Sequence, residues 1–89
     1  MVKLHAPPAV VSDVPTDGVE VAGETVGEAL ERHAEEYGPE LLEAVTDGRA
    51  LASHVDVYVD GEGVRRERGL ATPVEDDSVV RIIPRLYQG

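Results

Sequence analysis

The sequence predicts an α+β fold, with one main helix packed across a mixed sheet of four to five strands and a short second helix beside it. Three observations lead there. Segments of β period occupy both ends of the chain, one capped amphipathic helix separates them, and the last apolar run suits a central strand. Strands gathered on either side of a single helix, rather than alternating with several, make an α+β chain and not a βαβ one.

Residues 2–6 open the chain, with Val2, Leu4 and Ala6 alternating against Lys3 and His5, the period of a half-buried strand. Pro7 and Pro8 break it, and residues 9–18 are irregular up to the turn pair Asp17-Gly18. Residues 18–23 are short, β-branched and bounded by glycine, which predicts a second strand in a wide hairpin with the first. Thr25 then offers a helix N-cap, and Glu28 three residues on completes a capping box. Val26, Ala29, Leu30, His33, Ala34 and Tyr37 share one helical face, with Glu28, Glu31, Arg32, Glu35 and Glu36 on the other. Gly38-Pro39 stops this helix and starts a shorter one with Leu41, Leu42 and Val45 inward, ended by Asp47-Gly48.

The second half returns to β period. Val55, Val57 and Val59 alternate with Asp56, Tyr58 and Asp60. Residues 60–63 are expected as a turn, followed by a short polar strand over 64–66 and a compact loop burying Leu70 and Val74. After a turn at 75–78, residues 79–83 form an apolar strand, expected at the sheet centre and covered on both faces over part of its length. Pro84 is expected to end it. The domain is thus residues 1–84, with 85–89 a flexible C-terminal tail. A single helix across a mixed sheet whose last strand is central is the β-grasp arrangement.

Composition narrows the functions available. The 89 residues include no Phe, Trp or Cys, and the aromatic residues are Tyr37, Tyr58 and Tyr87. An aliphatic core of this size leaves little room for a ligand cavity, and without cysteine there is no disulfide, thiolate metal site or Cys nucleophile. Eighteen acidic residues oppose eight basic ones, a formal charge of −10, and Lys3 is the single lysine. That field repels phosphate backbones, so no nucleic-acid partner is expected. The acids are spread along the chain, as on a solvated surface adapted to a saline, halophilic cytoplasm. The opening residues show no signal-peptide pattern and no run approaches a membrane span, so a cytoplasmic protein with no membrane partner, monomeric when free, is expected.

His5, His33 and His54 lack ligand spacing and are expected as core or edge residues, so no metal site is assigned. Asp76-Asp77 and Glu35-Glu36 fit a turn and a solvated helix face better than a catalytic pair. Arg65, Arg66 and Arg68 fit a charged coat on an edge strand. No nucleophile–base pair and no Gly-rich phosphate loop is present, so the chain is expected to be no enzyme and to bind no cofactor.

In order and spacing, residues 55–62, 69–74 and 77–84, followed by the terminal Gly89, resemble the ubiquitin-like sulfur-carrier family (ThiS/MoaD-like), which includes the small archaeal ubiquitin-like modifiers. Thr25-Val26-Gly27-Glu28-Ala29-Leu30 is similar to that family's helix opening, and the resemblance covers most of the chain from Gly18. It implies that an E1-like activating enzyme uses ATP to adenylate the carboxylate of Gly89. Sulfur transfer then gives a thiocarboxylate serving molybdopterin biosynthesis (through a molybdopterin synthase large subunit), thiamine or tRNA thiolation, or another acceptor. In the modifiers the activated end is joined to target-protein lysines. A terminal glycine lets the backbone thread a narrow channel, and five extended residues reach roughly 15 Å. The family ends Gly-Gly, whereas here Gln88 precedes Gly89 and brings a side chain into that channel. Tyr58, Ile82, Leu86, Tyr87 and Gln88 are the expected partner-docking residues. The alternative is a diverged, non-catalytic β-grasp interaction domain whose tail is inert.

Overall fold

The computed structural model describes residues 1–48, 50–65 and 67–85. Its main sheet has five strands in the order β2-β1-β7-β5-β6. These are β1 (Val2–His5), β2 (Asp17–Val21), β5 (Val55–Val59), β6 (Glu62–Gly63) and β7 (Val79–Pro84), and a separate small hairpin joins β3 (Thr46–Asp47) to β4 (Ala50–Leu51). Helices α1 (Val26–Tyr37) and α2 (Glu40–Val45) and a 3₁₀ turn (Gly69–Ala71) complete the chain. β1 runs parallel to β7, while β5 is antiparallel to β7 on its other side, so the sheet is mixed and its last strand central. This is the expected β-grasp fold.

The first half follows the sequence closely. β1 and β2 pair antiparallel with a bulge between Leu4 and His5, and the pairing extends to Ala6 and Thr16, whose backbones bond at 2.8 Å. The Thr25 hydroxyl accepts from the Glu28 amide at 3.1 Å, satisfying one of the donors that every helix start leaves open. The Glu28 carboxylate reaches back to the amide of Glu24, one residue before the cap, at 3.0 Å. At the other end Gly38 takes φ +114°, a conformation L side chains rarely adopt, and its amide bonds to the Ala34 carbonyl. Pro39 then starts α2.

Helix α1 lies against one face of the sheet, and the core forms between them. Val2, Leu4, Val21, Val26, Leu30, Leu41, Val55, Val80 and Ile82 are at most 1% exposed. With no Phe or Trp to fill the core, backbones approach closely. A Cβ at Gly23 would stand 2.7 Å from the Ala29 amide, and one at Gly27 would stand 3.1 Å from the Leu70 carbonyl. Glycine at these two places lets the chain entering α1 and the 3₁₀ turn close over the helix. His33 is fully buried, and its Nε2 donates to the Pro15 carbonyl at 2.7 Å, pinning the irregular 9–16 segment to α1. Tyr37 is 43% exposed and only leans on His33, with ring centroids 5.0 Å apart, so the buried helical face ends one turn earlier than expected.

In the second half one strand is displaced and one small hairpin is added. The polar strand expected at 64–66 lies at Glu62–Gly63 instead. Asp60 and Gly61 both take positive φ, 52° and 87°, which makes a two-residue hairpin turn that pairs Glu62 directly with Val59. The β3–β4 hairpin has no strand pattern in its sequence; it forms where Gly48 turns at φ +66°. Finally, Pro84 is the last residue of β7, which ends there as expected. It sits opposite Val55, and the next amide, Arg85, donates to the His54 carbonyl at 2.7 Å. That pattern marks Val55 and Pro84 as a non-hydrogen-bonded pair, where no proline N–H is needed.

Truncating the core should be costly and removing the cap less so. Leu30→Ala is expected to lower stability by about 2–5 kcal/mol, and Thr25→Ala by about 1 kcal/mol. Urea denaturation followed by circular dichroism measures both, and equal losses would contradict the core placement of Leu30.

Candidate functional site

The alternation of β7 decides which of its residues a partner can meet. Val80 and Ile82 turn toward α1 and are buried, while Arg81 and Ile83 point to the opposite face and are exposed. Strand pairing carries this parity across the sheet. Lys3 and His5 of β1 stand beside Val79 and Arg81, and Asp56 and Tyr58 of β5 stand beside Ile83 and Arg81. No helix covers this outer face among the described residues, so β7 is covered on one side and not on both as expected.

Of the expected docking residues, Tyr58 is on this outer face. It is half-buried, because its ring carbons approach within 3.6 Å of the place where Gly63 would carry a Cβ. Ile82 is not available there: at 1% exposure it belongs to the core. Its neighbour Ile83, 44% exposed, is the apolar residue the face presents. The signal was in the sequence, since Arg81 marks the outward parity and Ile83 shares it. Leu86, Tyr87, Gln88 and Gly89 lie outside the described residues.

The chain leaves β7 at a well-held point. Besides its backbone bond to His54, Arg85 directs its guanidinium onto both carboxylate oxygens of Asp56, with Nε donating to Oδ2 at 3.3 Å and the terminal nitrogen donating to Oδ1. Arg85, expected in the tail, is therefore part of the folded body. At the other end of β7, Asp60 accepts from the Val79 amide at 2.9 Å and from the Ser78 hydroxyl at 3.0 Å. Side chains of the β5–β6 hairpin thus fasten both ends of the central strand.

The remaining candidates separate plainly. His5 is half-buried with Nδ1 3.6 Å from Asp17, His33 is in the core and His54 is exposed. Among the described residues no three His, Asp or Glu side chains come together as metal ligands. Asp76 and Asp77 are exposed in their turn, with Asp76 3.6 Å from the N-terminal amine, and Glu35 pairs with Arg32. Arg65 and Arg68 are exposed just beyond the edge strand β6. No described helix is long and apolar enough to cross a membrane.

The mixed sheet, its central last strand and the helix across it define a β-grasp body. Residues 11–86 match the model of the ThiS family, and the chain belongs to that family. Similar solved structures cover nearly its whole length. A chain of the BexX/CysO complex of Amycolatopsis orientalis is 24% identical, with a TM-score of 0.85 over 100% of both chains. CysO of Mycobacterium tuberculosis is 27% identical, with a TM-score of 0.82 over 97% of this chain and 100% of that one. The small archaeal modifier protein 1 of Methanosarcina acetivorans is 22% identical, with a TM-score of 0.75 over 99% of this chain and 95% of that one. No curated protein sequence matches significantly.

The parity of β7 gives a direct test. Ile82→Ala should cost about 2–5 kcal/mol, whereas Ile83→Ala should change stability by no more than about 0.5 kcal/mol, as exposed substitutions generally do. Chemical denaturation of the two variants checks the register, and a larger loss at Ile83 would reverse it.

Proposed function

We propose that this chain is a ubiquitin-like sulfur carrier that works through the carboxyl group of Gly89 and does no catalysis itself. The observation that carries the reading is the exit of β7. The central strand of a ThiS-family body is held through Arg85, and residues 86–89 follow directly from that fixed point. An E1-like enzyme would supply the ATP site. One Gly89 carboxylate oxygen attacks the α-phosphorus of ATP and pyrophosphate leaves, giving an acyl-adenylate. A sulfide-level donor then displaces AMP at the carbonyl carbon, giving the thiocarboxylate that passes its sulfur to an acceptor such as a molybdopterin synthase large subunit.

The outer sheet face would seat the partner enzyme. Ile83 and Tyr58 offer an apolar patch on the side of the strand that leads to the tail. Leu86, Tyr87 and Gln88 would enter the enzyme's channel behind the terminal glycine. The complex of BexX with CysO is one in which a structurally similar chain assembles with a partner protein, and the same kind of assembly is proposed here. Conjugation to a target lysine would use the same adenylate, with an amine in place of sulfide. The Gln88 side chain is the feature that separates this end from a Gly-Gly one. It is expected to slow activation by an enzyme adapted to Gly-Gly.

Incubation with ATP, a sulfur donor and the activating enzyme encoded in the same genome tests the reading. Intact-mass spectrometry should show one oxygen replaced by one sulfur, the change should vanish on deletion of Gly89, and Gln88→Gly should retain it. An unchanged mass in the wild-type chain would instead support an interaction domain with an inert tail.

A further inference from the structure

The net charge of −10 is distributed unevenly. The outer sheet face carries three acids, Asp17, Glu20 and Asp56, against three bases, Lys3, Arg81 and Arg85. These six charges cancel, so the net charge of −10 comes from residues elsewhere in the chain. On the face itself each acid already has a basic neighbour. Asp17 lies 3.6 Å from His5, Asp56 is held by Arg85, and Glu20 stands opposite Lys3 in the strand pairing.

Arg81 is the base left over. Its side chain is exposed and, among the described residues, has neither hydrogen bond nor ion pair, whereas Arg32 and Arg85 both bind acids. It stands between His5 and Tyr58 in the pairing and lines an open cleft of about 480 Å³ with His5, Pro7, Pro8, Ile83 and Asp17, whose own carboxylate faces His5. Pro7 and Pro8 follow β1 and form the wall of this cleft on that side. An unpaired guanidinium beside an exposed isoleucine, in a recess of an otherwise neutral face, suits a carboxylate carried among apolar side chains. The planar fork of arginine binds both oxygens of such a group at once.

Resting on the carrier reading, we propose that Arg81 is a specificity-determining residue that receives an Asp or Glu side chain of the activating enzyme, with Ile83 packing against an apolar neighbour of that carboxylate. The acidic helix side, by its repulsion, turns the molecule so that this neutral face leads.

The test is binding to the purified activating enzyme from the same genome, by biolayer interferometry without ATP, for the wild type and Arg81→Glu, Arg81→Gln and Arg81→Lys. Arg81→Glu should weaken binding about ten- to a hundredfold, the range for a hydrogen-bonded charge replaced by its opposite. Arg81→Gln should fall between, and Arg81→Lys should restore only part, because an ammonium lacks the fork. Thermal melts matching the wild type exclude misfolding as the cause. Affinity unchanged in Arg81→Glu overturns the assignment even where the thiocarboxylate still forms. Loss of binding in Arg81→Glu, in a system where the bound wild type gains no sulfur, supports the assignment and overturns the carrier reading. A wild type that does not bind at all overturns the cleft.

Discussion

The double pairing of β7 is the constraint on which the rest depends. One strand supplies hydrogen bonds to β1 on one side and β5 on the other, so the first and last segments of the sequence become neighbours. The β1–β2 and β5–β6 hairpins join into one sheet only when β7 is in place between them. The same strand contributes Val80 and Ile82 to the core, which ties backbone pairing to apolar burial in a single element. Contacts this distant in sequence are costly in loop entropy until the apolar surface closes over them. The irregular 9–16 segment, anchored through Pro15 to His33, shortens the effective span between β1 and β2.

The division between the two sheet faces follows from composition. With no Phe or Trp, the chain has apolar bulk for one core layer only, and it spends Val, Leu and Ile on the side facing α1. The outer side keeps half-buried and paired groups: Tyr58 spread over Gly63, Arg85 on Asp56, His5 beside Asp17. A face that is neither strongly apolar nor strongly charged stays soluble alone and still has surface to give a partner.

The order of elements, the mixed sheet and the central last strand were legible in the sequence, because period-two alternation at Val2-Leu4 and Val55-Val57-Val59 and the Thr25 cap are strong local signals. What escaped was register. The Asp60-Gly61 pair was read as part of a longer turn, although two positive φ angles there shift the partner of Val59 to Glu62. Pro84 does close β7, and it fits there because its partner Val55 forms a non-hydrogen-bonded pair that asks for no proline N–H. Ile82 and Ile83 could not be told apart by hydrophobicity; only the parity set by Arg81 separates them. The outer face was therefore readable in outline and misassigned by one residue. Arg81 itself stood out only once its neighbours were seen to be paired off.

The parallel neighbours β1 and β7 also govern how the body responds to being pulled. A tail drawn into a narrow channel loads β7 along its own axis, so the ladders on both its sides resist in shear and many hydrogen bonds bear the tension at once. Peeling them apart singly would need a force across the strand, which a pull from its end does not provide. The clasp of Arg85 on Asp56 is the first contact to feel that tension. Under the carrier reading, the body would thus act as a handle that withstands traction applied at the end of β7.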